Sequence, residues 1–507
     1  MSAPARACPE SRDPGRTSAA SKKHATGLAH WMRRVLKECG RVEQGLDPEA
    51  VHDLRVSLRR CRSLASSLQQ LDPSTSWRKM RRAGRKLFRS LGELRDAQVL
   101  TGWVKKLVPE DDPVRKLFLG LLAKREEDAK VAALHALAHF DRKRWRRWAR
   151  LLPARARAVS ADGLVAQHLA LERWSEAFEL DRRAHRTRSR VAWHRLRIGL
   201  KRFRYTAENF LPRRYAEWGA DLKFLQDLLG EVHDLDVLQA ALQKFLVAAT
   251  PEIRTRWESA IARERDSRLA AYREKMSGAN SLWQVWRANL PESKRLEAAA
   301  SAKFRAWASL HDPDVAHAHR VALLALQVFD AFAAAEIHGF FRETRARRIL
   351  HVAALLHDAG RCEGDRGHHK GSYRLIREHA PPFGWTPEEL SWIALVARYH
   401  RGAEPRDTHE GFDVLPPAEK QSVSWLAAVL RFADALDADH SGHVTSLSLV
   451  STPEALVIEA RGFSAQDDMV ENLSRKKRLL ERLCGRPVIV RGVSEQPAES
   501  PAVALAS

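Results

Sequence analysis

The sequence predicts a mostly α protein: two pseudo-repeated four-helix bundles, then an all-α domain that ends in a small αβ cap. Three observations predict it. From about Lys23 to Lys294, Leu, Ala, Arg and Glu recur at three- and four-residue spacing with few β-branched runs, the period of packed helices. Within that stretch one His/Arg pattern occurs twice. After Asp439 the period shortens to two, in Val444–Val450 and Ala455–Ala460, before a helix at about Asp467–Cys484 and a last strand at Pro487–Arg491. At 507 residues the chain exceeds one ordinary core. We divide it into a flexible tail over 1–21, a repeated helical domain over 22–295 (halves 22–150 and 151–295), an all-α domain over 300–440, an αβ subdomain over 441–495 and a tail over 496–507. Asp47-Pro48, Asp72-Pro73 and Asp112-Pro113 mark helix starts or turns.

The net charge of +23 is unevenly placed. Residues 1–300 hold 61 Lys and Arg against 36 Asp and Glu, and the remainder holds 25 against 27. All the excess positive charge sits in the helical repeat, which points to a polyanionic partner for that part alone. Five scattered cysteines without a C-x-x-C pair give neither a disulfide framework nor a structural zinc site. No 18-residue apolar run and no leader-like N-terminus occur, so we expect a cytoplasmic protein without a membrane span.

The repeat has two blocks. His52-Asp-Leu54-Arg55-Val-Ser-Leu58-Arg59-Arg60-Cys-Arg62 returns as His194-Arg-Leu196-Arg197-Ile-Gly-Leu200-Lys201-Arg202-Phe-Arg204. Some 30 residues on, Leu91-Gly92-Glu93-Leu94-Arg95-Asp96 returns as Leu229-Gly230-Glu231-Val232-His233-Asp234. His52, Arg55, Arg59 and Arg62 fall on one helix face, as do His194, Arg197, Lys201 and Arg204, while Leu54, Leu58, Leu196 and Leu200 fall on another. A row of like charges repels itself unless solvated or neutralised by an anion. Arg78, Arg82, Arg85, Lys86 and Arg89 add a further basic face. Guanidinium forks suit phosphate oxygens. A solvated face is the ordinary reading of one such run, and its recurrence in both halves argues against that.

These residues resemble the CHAD family, whose pattern H-x-L-R-(V/I)-x-x-(K/R)-R-x-R occurs in two copies, each followed by L-G-x-x-(R/H)-D. The resemblance implies two four-helix bundles around a basic channel and inorganic polyphosphate as partner. The residues expected to hold it are His52, Arg55, Arg59, Arg60, Arg62, Arg82, Lys86, Arg89, His194, Arg197, Lys201, Arg202 and Arg204. Nucleic acid is the rival polyanion. Few aromatics lie between the cations for base stacking, Trp145 and Trp148 being the exception.

The last third carries a histidine and aspartate series. His317-Ala-His319-Arg320 opens one helix, and Leu355-Leu356-His357-Asp358-Ala-Gly360 ends another. His368-His369-Lys370, Tyr399-His400-Arg401 and Arg431-Phe-Ala-Asp434-Ala-Leu-Asp437 follow. Imidazoles and carboxylates on separate helices can converge on one divalent ion, which lowers the pKa of its water and polarises a phosphoryl oxygen. An isolated His-Asp pair is weak, but this context is more specific. The series resembles the HD superfamily, most closely the C-terminal HD domain of exopolyphosphatase and guanosine pentaphosphate phosphohydrolase, over about 300–495. The segment near Lys476-Lys477 shares in that resemblance. It implies a divalent metal (Mg, Mn or a transition metal) on His317, His357, Asp358 and Asp434, with His369 or His368 and His400 as further ligands. His357, Asp358, Lys370 and Arg401 would be the catalytic set, with Arg431 another phosphate contact; His351 and His319 are structural or peripheral. The actin-like ATPase-type domain of exopolyphosphatases has no counterpart here, so activity does not follow from the resemblance alone. The expected function is a polyphosphate-binding protein with a metal-dependent phosphohydrolase domain, acting on polyphosphate or a phosphorylated nucleotide and located in the cytoplasm or on polyphosphate granules. A non-enzymatic granule scaffold and a nucleic-acid-binding protein are the alternatives.

Overall fold

The structure, a computed structural model, describes residues 27–464 and 467–493, so the segments read as tails, 1–21 and 496–507, lie outside the described residues. The chain divides into two compact units between Pro291 and Glu292. No helix among the described residues is long and apolar enough to cross a membrane.

The first unit is all α. Its helices are α1 (Leu28–Gln44), α2 (Pro48–Leu68), α3 (Thr75–Leu107), α4 (Pro113–Ala138) and α5 (Arg142–Ala156), then α6 (Leu164–Thr187), α7 (Arg190–Phe210), α8 (Pro212–Ala248), α9 (Pro251–Met276) and α10 (Leu282–Arg287). The Asp-Pro turns act as read. Asp47 and Asp112 accept from Ala50 N and Arg115 N, and the prolines occupy the first turn, where a missing N–H costs nothing. Leu54, Leu58, Leu196 and Leu200 are fully buried.

Each half packs its first four helices in sequence, yet the halves are not free-standing bundles. At 33 and 37 residues, α3 and α8 extend about 50–55 Å at 1.5 Å per residue and outrun their 21-residue neighbours α2 and α7. The overhangs bury Leu100, Val104, Phe118 and Leu122 of the first half against Leu235, Leu238, Leu242 and Trp257 of the second in one shared core.

A fifth helix closes each half. Trp145 and Trp148 on α5 and Trp283 and Trp286 on α10 stand 138 residues apart, the offset of the second repeat block. All four are buried, and each pair meets edge to face. Trp145 donates its indole N–H to Met32 O at 3.0 Å. The tryptophans read as a stacking surface for bases are therefore core residues: with Leu152 they form the buried stripe of α5, and the arginines between them lie on its other faces. Trp145→Ala is expected to destabilise the unit by about 3–5 kcal/mol, read from the urea midpoint.

The second unit begins earlier than the sequence suggested, with α11 (Ser293–His311). It continues with α12 (Val315–Ala334), α13 (Thr344–Leu356), α14 (His368–Glu378), α15 (Pro387–Arg398) and α16 (Pro417–Leu436). Strands β1 (Ser446–Ser451), β2 (Leu456–Arg461) and β3 (Val488–Val493) follow, with α17 (Asp467–Lys476) and α18 (Arg478–Cys484) between β2 and β3. The sheet order is β1-β2-β3, antiparallel and then parallel, with Leu449 opposite Ile458 and Ile458 opposite Val490. One core joins the α12, α13, α15 and α16 helices to Leu456, Ile458, Leu479 and Val488, so the sheet is an outgrowth of the helical unit.

Candidate cationic cleft and candidate metal centre

In the first unit the two repeated helices, α2 and α7, pack against each other. A cleft of about 260 Å³ between them is lined by Arg59, Arg62, Arg81, Lys201, Tyr205 and Phe88 among others. The Nε atoms of Arg59, Arg62 and Arg197 are buried without a hydrogen-bond partner. Arg59 lies over the Tyr205 ring and Arg62 over Phe88, at 5.4 and 4.5 Å. Burial, then the charges of Arg197, Arg59, Arg55 and Arg204, push the Lys201 ammonium down to about 7. Buried donors of this kind call for an acceptor from outside the chain.

Other cations of the pattern are differently placed. Arg55 donates to Leu91 O, and Gly92 leaves room for it, since a Cβ there would sit 3.3 Å from the guanidinium. Arg60 pairs with Glu208 and lies over Trp31, Arg202 pairs with Glu176, and Arg204 reaches Tyr215 Oη at 3.3 Å. His52 is exposed. His194 and His233 join through their Nδ1 atoms at 3.2 Å, and burial with the nearby cations lowers His233 to about 4. Asp234 is raised to about 6, chiefly by burial.

Arg82, Lys86 and Arg89 are exposed on the far side of α3. Met80, Gly84, Leu87 and Leu91 take the buried face. At 100° per residue the flank beside α2 then carries Arg81, Arg85 and Phe88, whose cations bear on Arg62. The basic face expected from the sequence includes Arg85, and the cleft adds Arg81 and Phe88 to it.

The second unit gathers its series at one point. Asp314 caps α12 and accepts from His317 N, presenting His317 on the first turn. His357 and Asp358 follow α13 directly, and Gly360 lets α14 come in close: a Cβ there would lie 2.2 Å from His368 O. His357, His368 and His400 direct Nδ1 to the carbonyls of Ala354, Asp365 and Ala397 at 2.6–2.8 Å, and His317 directs Nδ1 to Asp437 at 2.7 Å. All four Nε2 atoms thereby face the carboxylates. Asp358 Oδ1 lies 3.1 Å from His368, 3.5 Å from His400 and 3.7 Å from His357, and Asp434 Oδ1 lies 3.3 Å from His317 and 3.6 Å from His357.

Two sets, His317/His357/Asp434 and His357/Asp358/His400, each bring their ligand atoms within 4.8 Å of one another. His357 Nε2 is buried and, although both carboxylates lie near it, has no hydrogen-bond partner. Imidazoles fixed at Nδ1 with Nε2 turned towards shared carboxylates are a donor set that suits a divalent metal. Burial disfavours the charged form of Asp358, but the His357 charge and the His368 hydrogen bond outweigh it and hold the carboxyl well below its usual range. Burial likewise opposes protonation of His317, and its bonds to Asp434 and Asp437 override that, raising it to about 9.

It is His368, and not His369, that joins the cluster. His369 stands one helical step round on α14, its ring centroid 6.4 Å from that of His400. Burial lowers it to about 4. The cluster opens into a cavity of about 680 Å³ whose wall includes Arg361, Arg401, Arg475, Lys476 and Arg478. Lys370 is exposed and does not line it. Arg431 donates to Tyr399 O and Gly402 O at 2.7 and 3.1 Å, and so holds the loop bearing His400 and Arg401. Asp437 and Lys476 were missed as site residues. Asp437 had a signal, since it lies three positions after Asp434; Lys476 had none beyond a likeness of its segment.

The CHAD domain model matches residues 26–243, and that of Ppx/GppA phosphatase, domain III, matches residues 302–468. A crystal structure of the CHAD domain from the plant Ricinus communis is 24% identical, covering 53% of this chain and 90% of that chain, with a TM-score of 0.35. No curated protein matches the chain. The two family matches support a polyphosphate-related function. The chain thus carries a CHAD domain followed by a region of the Ppx/GppA phosphatase domain III family.

Proposed function

We propose that the protein binds inorganic polyphosphate in the α2/α7 cleft and that its second unit is an HD-type, metal-dependent phosphohydrolase acting on a phosphoanhydride or phosphoester. The observation that carries the enzymatic reading is the His/Asp cluster opening into a cavity walled by cations. His317, His357, Asp358 and Asp434, with His368 and His400, would hold the metal. Four imidazoles favour a transition ion over magnesium. The ion would supply Lewis-acid polarisation and a lowered water pKa. The chain's own part is to fix each imidazole at Nδ1, to keep two carboxylates ionised, and to place Arg401, Arg361 and Arg475 where phosphate oxygens arrive.

The test is metal content together with phosphate release from polyphosphate and from nucleotides such as ppGpp, with several metals. Release with Mn²⁺, Co²⁺ or Zn²⁺ and none after chelation supports the reading; metal uptake with no release under any condition rejects the enzyme. Cleft binding has its own pH signature. With its ammonium pushed down to about 7, Lys201 is half charged near that pH and loses its charge above it. Polyphosphate affinity should therefore fall as pH rises above that value, by up to about tenfold per unit while only the bound form keeps the proton. Lys201→Arg does not titrate there, so isothermal titration at pH 6–8.5 should give it a flatter profile than wild type.

A further inference from the structure

Asp434 divides its two carboxylate oxygens. Oδ1 faces His317 and His357, while Oδ2 is ion-paired with Nζ of Lys476. Lys476 lies 42 residues further along, in the last turn of α17, and so belongs to the αβ subdomain and not to the helices that carry the other ligands. Both side chains are largely shielded, at 11% and 12% exposure, so the pair is not a loose surface contact.

We propose that Lys476 is a positioning residue of the metal centre, holding Oδ2 so that Asp434 offers Oδ1 alone. The inference rests on the reading of the cluster as a metal site. A carboxylate free at both oxygens can turn about its terminal bond and ligate through one or two of them; an ammonium on Oδ2 removes that freedom. Hydrogen-bonding partners of ligating groups commonly change metal affinity 10–100-fold. The ammonium also offsets the buried negative charge of Asp434, which lies near the further buried carboxylates Asp358 and Asp437. The adjacent lysine serves otherwise: Lys477 Nζ bonds Val488 O at 2.6 Å and Glu481 at 2.9 Å, tying α18 to β3. Asn472, Arg475 and Arg478 from the same segment line the cavity, so one element both aims a ligand and forms part of the cationic wall.

The test is Co²⁺ titration of the full-length protein, followed by its visible absorption. Lys476→Met should bind Co²⁺ about tenfold or more weakly, with an altered ligand-field spectrum as Oδ2 is released to coordinate. Lys476→Ala, a smaller neutral variant, should agree with it. Lys476→Arg should restore affinity and spectrum towards wild type, and Lys477→Met should leave both unchanged. Wild-type affinity and spectrum in Lys476→Met or Lys476→Ala overturn the role of Lys476 and leave the metal centre standing. A wild-type protein that takes up no Co²⁺ overturns the metal centre, and this inference with it.

Discussion

Replacing Arg59, Arg197 and Lys201 together with glutamine is expected to lower affinity for long-chain polyphosphate by about 100- to 1000-fold. Each charge-assisted hydrogen bond contributes about 1.5–3 kcal/mol. Three acting on one ligand are not additive, and a combined loss of about 3–4 kcal/mol corresponds to that range at 1.4 kcal/mol per tenfold. The slope of log affinity against log salt should shrink by about two to three, since fewer counterions are released. A second consequence separates a binding role from a structural one. The Nε atoms of Arg59 and Arg197 have no hydrogen-bond partner, and Lys201 is depressed first by burial and then by its cationic neighbours. Removing them relieves repulsion in the free protein, so the variant should melt no lower than wild type. Fluorescence binding across 50–300 mM salt, with a thermal melt beside it, measures both. Unchanged affinity would remove the cleft from consideration.

The double variant His357→Ala/Asp358→Ala is expected to abolish metal uptake and to lower metal-dependent phosphate release at least a thousandfold, about 4 kcal/mol of transition-state stabilisation. His357 belongs to both candidate ligand sets, and Asp358 Oδ1 gathers His357, His368 and His400. Taking both away leaves neither set complete. Deleting Asp358 alone should hurt folding more than activity bookkeeping suggests, because three buried imidazoles lose their shared acceptor; removing His357 with it lessens that strain. Metal analysis by mass spectrometry and phosphate release on the same preparations would check it. Full metal content in the double variant would contradict the assignment.

Much of this was legible in the residues. Asp47-Pro48 and Asp112-Pro113 begin helices and Asp72-Pro73 makes a turn, the strands fall within two residues of their expected places, and His317, His357, Asp358, His400 and Asp434 meet in space. What escaped was direction. Arg82, Lys86 and Arg89 are as basic as Arg81, but the burial of Met80, Gly84 and Leu87 turns them to solvent and leaves Arg81 at the cleft. His368 and His369 are chemically identical neighbours, and only the seating of α14 on Gly360 chooses between them. Trp145 and Trp148 looked accessible amid arginines, and their partners Trp283 and Trp286 lacked the arginines that would have exposed the repeat.

The amino-acid order by itself determined the helical period, the two-fold repeat, the confinement of the positive charge to one unit and the residue types able to ligate a metal. All of these are local or counted along the chain. Tertiary structure decided which flank of a helix faces a neighbour, which of two adjacent histidines turns inward, and that Lys476 returns from 42 residues away to grip Asp434. Those outcomes depend on which apolar stripe each helix buries and against what. A side chain's azimuth follows from packing that no single segment contains.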